Sequence, residues 1–403
     1  MVSPLIPSPS SPAPAASTSH PSFLKALLAL GVGGFSIGTG EFVIMGLLPD
    51  AAQDLGVSIP SAGHLISSYA LGVVIGAPVL AVLGARMQRR ALLMALMVLY
   101  ALGNFASAIA PDYAAMALMR FLSGLPHGTY FGVAALVAAH LAPPGRRAQA
   151  VGYVMLGLTI ATLVGVPIAA GLGQWLGWRA AFTLVGAIAV LAVALVWRWI
   201  PKLPAPAGAS PWKELSALRS KQVWLTLGIA AIGFGGMFSV FSYVKPTLMN
   251  LAGLPEAGVP LVLALFGVGM VAGNLVGSRL ADKALMPTIG CLLLWSGAVL
   301  ALFTFTAHHL WLGAFNVLLV GTAVALGPAL QIRLMDVAGE AQTLAAALNH
   351  SAFNLANALG AWLGGITISM GLGWESTGWV GMLLALGGLL IFGWACADMK
   401  RRD

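Results

Sequence analysis

Glu41 lies in an otherwise apolar run from Ala26 to Met45, and Arg120 lies in another, from Ala114 to Gly124. No other acid falls so deep in an apolar stretch, and no other arginine lies so far from the end of one. A carboxylate in hydrocarbon costs several kcal/mol unless it is paired, wetted or protonated, so such a residue is a functional candidate by default. Desolvation favours the neutral acid and a nearby guanidinium favours the carboxylate, so parting and rejoining such a pair takes up and releases a proton. Arg120 keeps its charge throughout and acts as the counter-ion. The bland alternative is a static ion pair that fixes helix packing; proton coupling is the leading expectation. His127 follows Arg120 by seven residues, on the same helical face with Gly124 between them. It reads equally as a second proton site or substrate donor, and as a neutral packing histidine.

The elements that hold these residues must cross a membrane. Of 403 residues 59% are hydrophobic and 8% charged, with a mean hydropathy of +0.92, far from the balance of a soluble domain. Segments long enough to span a bilayer fall at 24–48, 62–83, 91–110, 113–140, 148–174, 179–199, 222–248, 258–280, 287–306, 309–332, 341–369 and 376–397. Glu41 is eight residues from Pro49 and Arg120 eight from Asp112, so both sit about 12 Å below one edge at 1.5 Å per residue. Arg86, Arg89, Arg90, Arg146, Arg147, Lys213, Lys221, Lys283, Arg333 and Lys400 lie in loops on one side. The other side is nearly free of base except for Arg179 and Lys245, so both termini are expected in the cytoplasm. The net charge of +8 is explained by those loops and does not point to nucleic acid. Cys291 and Cys396 have no motif spacing and read as packing residues.

The chain repeats itself. Gly84 to Leu93, after the second span, aligns without gaps on Gly277 to Met286, after the eighth; Ala161 and Gly165 match Ala356 and Gly360; Gly177-Trp178 matches Gly373-Trp374. In the loop, pairing the acid Asp282 with Ala85 instead requires a shifted register. The expected organisation is a disordered tail (1–21), a six-helix bundle (22–200), a linker (201–221), a second six-helix bundle (222–398) and a short tail (399–403), giving an all-α membrane protein of two six-helix pseudo-repeats.

Gly38-Thr-Gly-Glu41-Phe-Val-Ile-Met-Gly-Leu-Leu-Pro49 and Arg120-Phe-Leu-Ser-Gly-Leu-Pro-His127-Gly128 resemble signatures of the drug:proton antiporter branch of the major facilitator superfamily, close to its arabinose-efflux and sugar-efflux permeases. So do Gly165-Val-Pro167, Gly177-Trp-Arg179, Phe241-Ser-Tyr243 and Ser351-Ala-Phe-Asn354-Leu-Ala-Asn357-Ala-Leu-Gly360. The resemblance covers residues 22–398 and implies a bacterial inner-membrane transporter whose first and fourth spans face a central cavity. One departure stands out: the acid usual before the first base of the second-to-third-span loop is Ala85 here, and only the second copy keeps one, Asp282.

His350, Asn354 and Asn357 share one face of the eleventh span and suit a hydrated cavity wall, with Ser242, Tyr243 and Asn316 as further lining candidates. Asparagines also join membrane helices to one another, so packing is the competing reading. Arg86, Arg89, Arg90, Gly165, Pro167 and Asp282 are expected as conformational hinge and packing residues, with Gly165-Val-Pro167 reading as close helix packing and a local kink at the boundary where the halves rock. No nucleotide loop, metal-spaced cluster or large soluble domain is visible, so no cofactor and no enzymatic activity are expected, and an ion gradient must supply the energy. The expected function is proton-coupled export of a sugar, nucleoside or drug-like molecule by a monomer in the lipid bilayer. The alternatives are an importer or uncoupled facilitator on the same fold, and a receptor or scaffold that moves nothing.

Overall fold

Residues 20–204 and 208–401 are described by the structure, a computed structural model. The expected disordered tail therefore lies outside the described residues but for its last two, which begin α1. The twelve long helices are α1 (His20–Gly46), α2 (Ile59–Leu83), α3 (Arg89–Ala108), α4 (Tyr113–Leu141), α5 (Arg147–Leu176), α6 (Trp178–Trp199), α7 (Lys221–Phe241), α8 (Val259–Lys283), α9 (Leu285–Thr306), α10 (Leu310–Val337), α11 (Gln342–Ser369) and α12 (Ser376–Lys400). All but α11 pass as spans on length and hydropathy alone. The exception carries Asn349, His350, Ser351, Asn354 and Asn357, and its polar residues reflect its place inside the bundle.

Polar residues at helix starts set several boundaries. Asp112 accepts a hydrogen bond from Ala115 N at 2.8 Å to begin α4, and Gly177, at φ 93°, turns the chain from α5 into α6 in a conformation that favours glycine. Two helices widen into a π-turn, α5 at Ala161–Gly165 and α7 at Ile229–Gly233. In α5 the widened turn directly precedes Pro167, whose missing N–H and ring disturb the ladder there. The seventh span does not run unbroken to residue 248. It stops at Phe241, turns through Ser242 and Tyr243, and restarts as Val244–Ala252.

Glycines allow helices to approach closely where no hydrophobic drive distinguishes lipid from protein. In α2 and α4, Gly72 lies against the Phe121 carbonyl, Gly76 against Leu125 and Gly124 against the Tyr69 carbonyl. In α8 and α10, Gly269 lies against Leu318, Gly273 against Thr322 and Gly321 against Phe266. Each glycine and its counterpart differ by 197 in number. That spacing fixes the repeat in three dimensions and corrects the ungapped loop match: Asp282 is the counterpart of Ala85, four residues from the register that the loop sequences alone suggest. The shift arises because α8 continues to Lys283 whereas α2 stops at Leu83.

The halves meet on the face that bears the basic loops. There α11 lies against α2 and α4, and α5 against α8 and α10. A methyl group added at Gly132 of α4 would stand 2.6 Å from Ala347 N of α11, so the backbones nearly touch. Asp282 accepts from Ala148 N at 2.7 Å and Gln149 N at 2.9 Å, which ties the last turn of α8 to the start of α5. Gly165, expected to pack helices closely, does so inside the first half, against Phe35 and Thr39 of α1 and not against the second half. Arg86 is exposed, and Arg89 and Arg90 are half-buried. The two bases that break the charge asymmetry are matched locally: Arg179 pairs with Asp54, and Lys245 with Glu256 at 3.2 Å.

Candidate functional site

Toward the other face the halves part around a cavity of about 580 Å³. Its wall runs from Gly46, Gln174 and Pro260, near helix ends on that face, down to Met155 and Asn274. Below that level lies the contact between the halves just described, so the structure is open on the face opposite the basic loops and closed on the basic one.

Glu41 reaches this cavity from α1 with its side chain 12% exposed. Its oxygen Oε2 stands 4.0 Å from Nδ1 of His127, which α4 holds fully buried on its cavity side. The same Nδ1 is 3.1 Å from the hydroxyl of Tyr69 on α2. A carboxylate, an imidazole and a phenol are thus within one proton-hop or one short side-chain movement of each other. Of these, Tyr69 went unnoticed in the sequence, where a lone tyrosine in an apolar span reads as packing.

Arg120 is not the partner of that carboxylate. It is fully buried, and its Nη1 donates to the Gly40 carbonyl at 2.8 Å and its Nη2 to the Glu41 carbonyl at 3.3 Å. Its guanidinium lies 4.5 Å from the centre of the Tyr69 ring and 5.6 Å from that of Phe182. Depth brings the two residues to the same level as expected, but rotation separates their side chains. Glu41 turns into the cavity and Arg120 into the interior of the first half, where cation–π contact and carbonyls replace water. The planar fork suits two adjacent carbonyls, a geometry lysine does not offer. The expected direct ion pair is therefore not formed: Arg120 clamps the α1 backbone beneath Glu41, and the two charges act on each other across the gap without contact.

The second half contributes α11. His350, Asn354 and Asn357 all line the cavity. The His350 ring stacks on Phe131 of α4, with centroids 4.5 Å apart, and stands 5.3 Å from the His127 ring, so aromatic contacts cross between the halves at the cavity floor. His350 Nε2 is buried and has no hydrogen-bond partner, and neither atom of the Asn274 amide has one. Thr159, Thr162 and Gln174 add polar groups to the wall, and the rest of it is apolar and rich in phenylalanine and methionine, including Phe234, Phe238, Phe241, Phe353, Met237 and Met270. Asn274 was visible only as a lone asparagine in the apolar run of α8, a signal that helix packing explains equally well, and the aromatic wall cannot be told from core in the sequence.

Three expected lining residues are elsewhere. Asn316 is buried within the second half and donates to the Val299 carbonyl at 3.3 Å. Tyr243 donates to the Ala361 carbonyl at 2.7 Å, and Ser242 is exposed, because the break after Phe241 swings both away from the cavity. Pro167 does line it.

A model of the Major Facilitator Superfamily matches residues 30–338 and again 227–402. The chain is 41% identical over 368 residues to the inner membrane transport protein YdhP of Escherichia coli (strain K12), covering 91% of this chain and 95% of that one. It is 32% identical over 378 residues to a chloramphenicol resistance protein of Streptomyces lividans, covering 91% of this chain and 95% of the relative. Among solved structures, the proton:xylose symporter XylE with bound 6-bromo-6-deoxy-D-glucose superposes with a TM-score of 0.74 at 17% identity, over 92% of this chain and 95% of that one.

Proposed function

The chain belongs to the Major Facilitator Superfamily, and from that membership we propose that it is a proton-coupled exporter of amphipathic small molecules in the bacterial inner membrane. It is a transporter and not an enzyme. On this reading the basic face is cytoplasmic, as the loop charges require, and the cavity opens to the periplasm. The observation that carries the coupling is Glu41, the one deep carboxylate among the described residues, on the wall of the open cavity beside His127 and in no ion pair with the arginine at its level. In the periplasm-facing state Glu41 takes a proton from the cavity. When the halves rock and the cavity opens inward, water and the departing substrate change its surroundings and the proton leaves to the cytoplasm. A protonated Glu41 has less hold on a polar or cationic substrate, so uptake of the proton and release of the substrate outside belong to the same half-cycle.

The cavity wall supports the substrate class. A free sugar needs a hydrogen-bonding partner for each hydroxyl, and a wall rich in phenylalanine and methionine leaves most of them unmet. An apolar body against that wall, with one polar end at His350 and Asn274, satisfies both partners. The direction of transport is supported by the resistance phenotype in the name of the Streptomyces relative. Inside-out vesicles energised acid-inside test the reading. Labelled chloramphenicol-sized aromatic compounds are expected to accumulate, with collapse on adding a protonophore. Accumulation of free arabinose at an equal or greater rate would overturn the substrate class, and accumulation insensitive to the protonophore would overturn the coupling.

A further inference from the structure

The equivalence of Ala85 with Asp282 leaves an asymmetry in the closed cytoplasmic gate. On one side, the Asp282 carboxylate of the second half holds the first N–H groups of α5 in the first half. The mirror contact would be a carboxylate at residue 85 holding the start of α11, and residue 85 is a buried alanine. The start of α11 is nonetheless capped. Glu214, 4% exposed, accepts from Leu344 N at 2.8 Å. It comes from the linker between the halves, where Ser210 caps and Pro211 opens the short helix Pro211–Leu215, wedged against α2 and α11. The flanking residue Ala341 gives α11 no side-chain cap of its own.

We propose that Glu214 is the latch of the cytoplasmic gate, the linker supplying the carboxylate that the α2–α3 loop lacks and thereby holding α11 against the first half while that face is closed. The surroundings suit a catch that must also release. Burial pushes the Glu214 carboxyl above the usual carboxylate range, while hydrogen bonds from Leu344 and Thr343 and the charge of Arg89 act the other way. A polar pocket of about 220 Å³ borders the contact, lined by Arg89, Lys213 and Glu214 on one side and Glu340, Gln342 and Thr343 on the other. Water has a route in when the halves part. The exposed pair of Lys213 with Glu340 at 3.0 Å adds little to this hold. Tying the gate to the linker also means that the segment joining the halves senses their separation directly.

The test needs no substrate, so its failure is distinguishable from a failure of the exporter reading, on which it rests only in requiring the gate to open. In the full-length protein with Cys291→Ser and Cys396→Ser, Ala139→Cys places one thiol under the closed gate, where Ala139 is 8% exposed. Its rate of alkylation by a maleimide reports gate opening. Glu214→Ala is expected to raise that rate on the order of five-fold, the size of a lost helix cap. Adding Ala85→Asp is expected to bring it back toward the parent, because an acid at the equivalent loop position does the same work. An unchanged rate in a folded Glu214→Ala protein would overturn the proposal. So would a raised rate that Ala85→Asp does not lower, since that points to lost packing and not to a missing carboxylate. If Glu214→Ala does not accumulate, Glu214→Asp, whose carboxylate is drawn back by one carbon, carries the same expectation.

Discussion

Arg120 spends its charge on backbone carbonyls, and that changes what its substitution does. Removing it strips the Gly40 and Glu41 carbonyls of their donor and empties the space over Tyr69. Hydrogen bonds to charged groups are worth about 1.5–3 kcal/mol each, so Arg120→Ala is expected to lower stability by about 3 kcal/mol, with Arg120→Lys intermediate. Melting in detergent checks this; a melting point equal to the parent's would contradict the clamp. Glu41→Gln, which leaves the clamp intact, is expected to melt close to the parent. At the far face Asp54 accepts from Arg179 and Trp178, which hold its carboxyl below the usual range. A depressed value means that the contribution is present above the ordinary carboxylate range and fades as pH falls through the shifted value. The acid-side loss of stability below about pH 4 is therefore expected to shrink in Asp54→Asn. The sequence showed the identity and depth of Glu41, Arg120 and His127, because charge in an apolar run is visible at once. It did not show which way each side chain turns, since helix rotation depends on packing partners such as Tyr69 and Phe182.

At the scale of elements, eleven of the twelve helices follow the spans read from hydropathy to within a few residues at most ends, because a bilayer imposes length and apolarity on each. The break after Phe241 was marked only by the polar run Ser242-Tyr243 and by Lys245-Pro246-Thr247, which a span carried on to Leu248 passed over, and the misplacement of Tyr243, Ser242 and Asn316 in the cavity followed from it and from unknown helix rotation. The repeat register was legible only in part: short loops align by chance as readily as by descent, whereas the glycine contacts of α2–α4 and α8–α10 admit one pairing. Those contacts also separate two kinds of glycine. Gly76→Ala forces its methyl into the Leu125 backbone of the same half and is expected to cost stability. Gly132→Ala meets Ala346 and Ala347 across the gate, at 2.9 Å and 2.6 Å from their backbone atoms. It is expected to leave each half intact and to favour the state open to the cytoplasm, seen as faster alkylation of the thiol at Ala139→Cys. Faster melting with an unchanged alkylation rate would place Gly132 inside one half's core instead.

Among the described residues the molecule has one carboxylate deep in its spans, and the other acids lie at or near the two faces. On the proposed exporter reading, the simplest cycle moves one proton inward for each substrate exported. A neutral substrate gives net inward movement of one positive charge, and its export is expected to accelerate with an inside-negative potential, by up to about 2.3 kcal/mol per 100 mV for a charge crossing the full field. Export of a monovalent cation is expected to respond chiefly to the pH gradient. If His127 carries a second proton, both cases shift by one charge and His127→Asn restores the simpler pattern. Orientation is checked by a reporter that fluoresces only in the cytoplasm, expected bright after Lys221 and dark after Asp112. The central claim, that Glu41 couples the substrate to the proton, is tested most directly by proton flux in proteoliposomes on adding an exported substrate. The parent protein is expected to move protons in step with substrate; Glu41→Gln, at equal amount in the membrane, is expected to bind substrate and exchange it down its gradient while moving no protons. Proton movement by Glu41→Gln at the parent's rate would contradict the account.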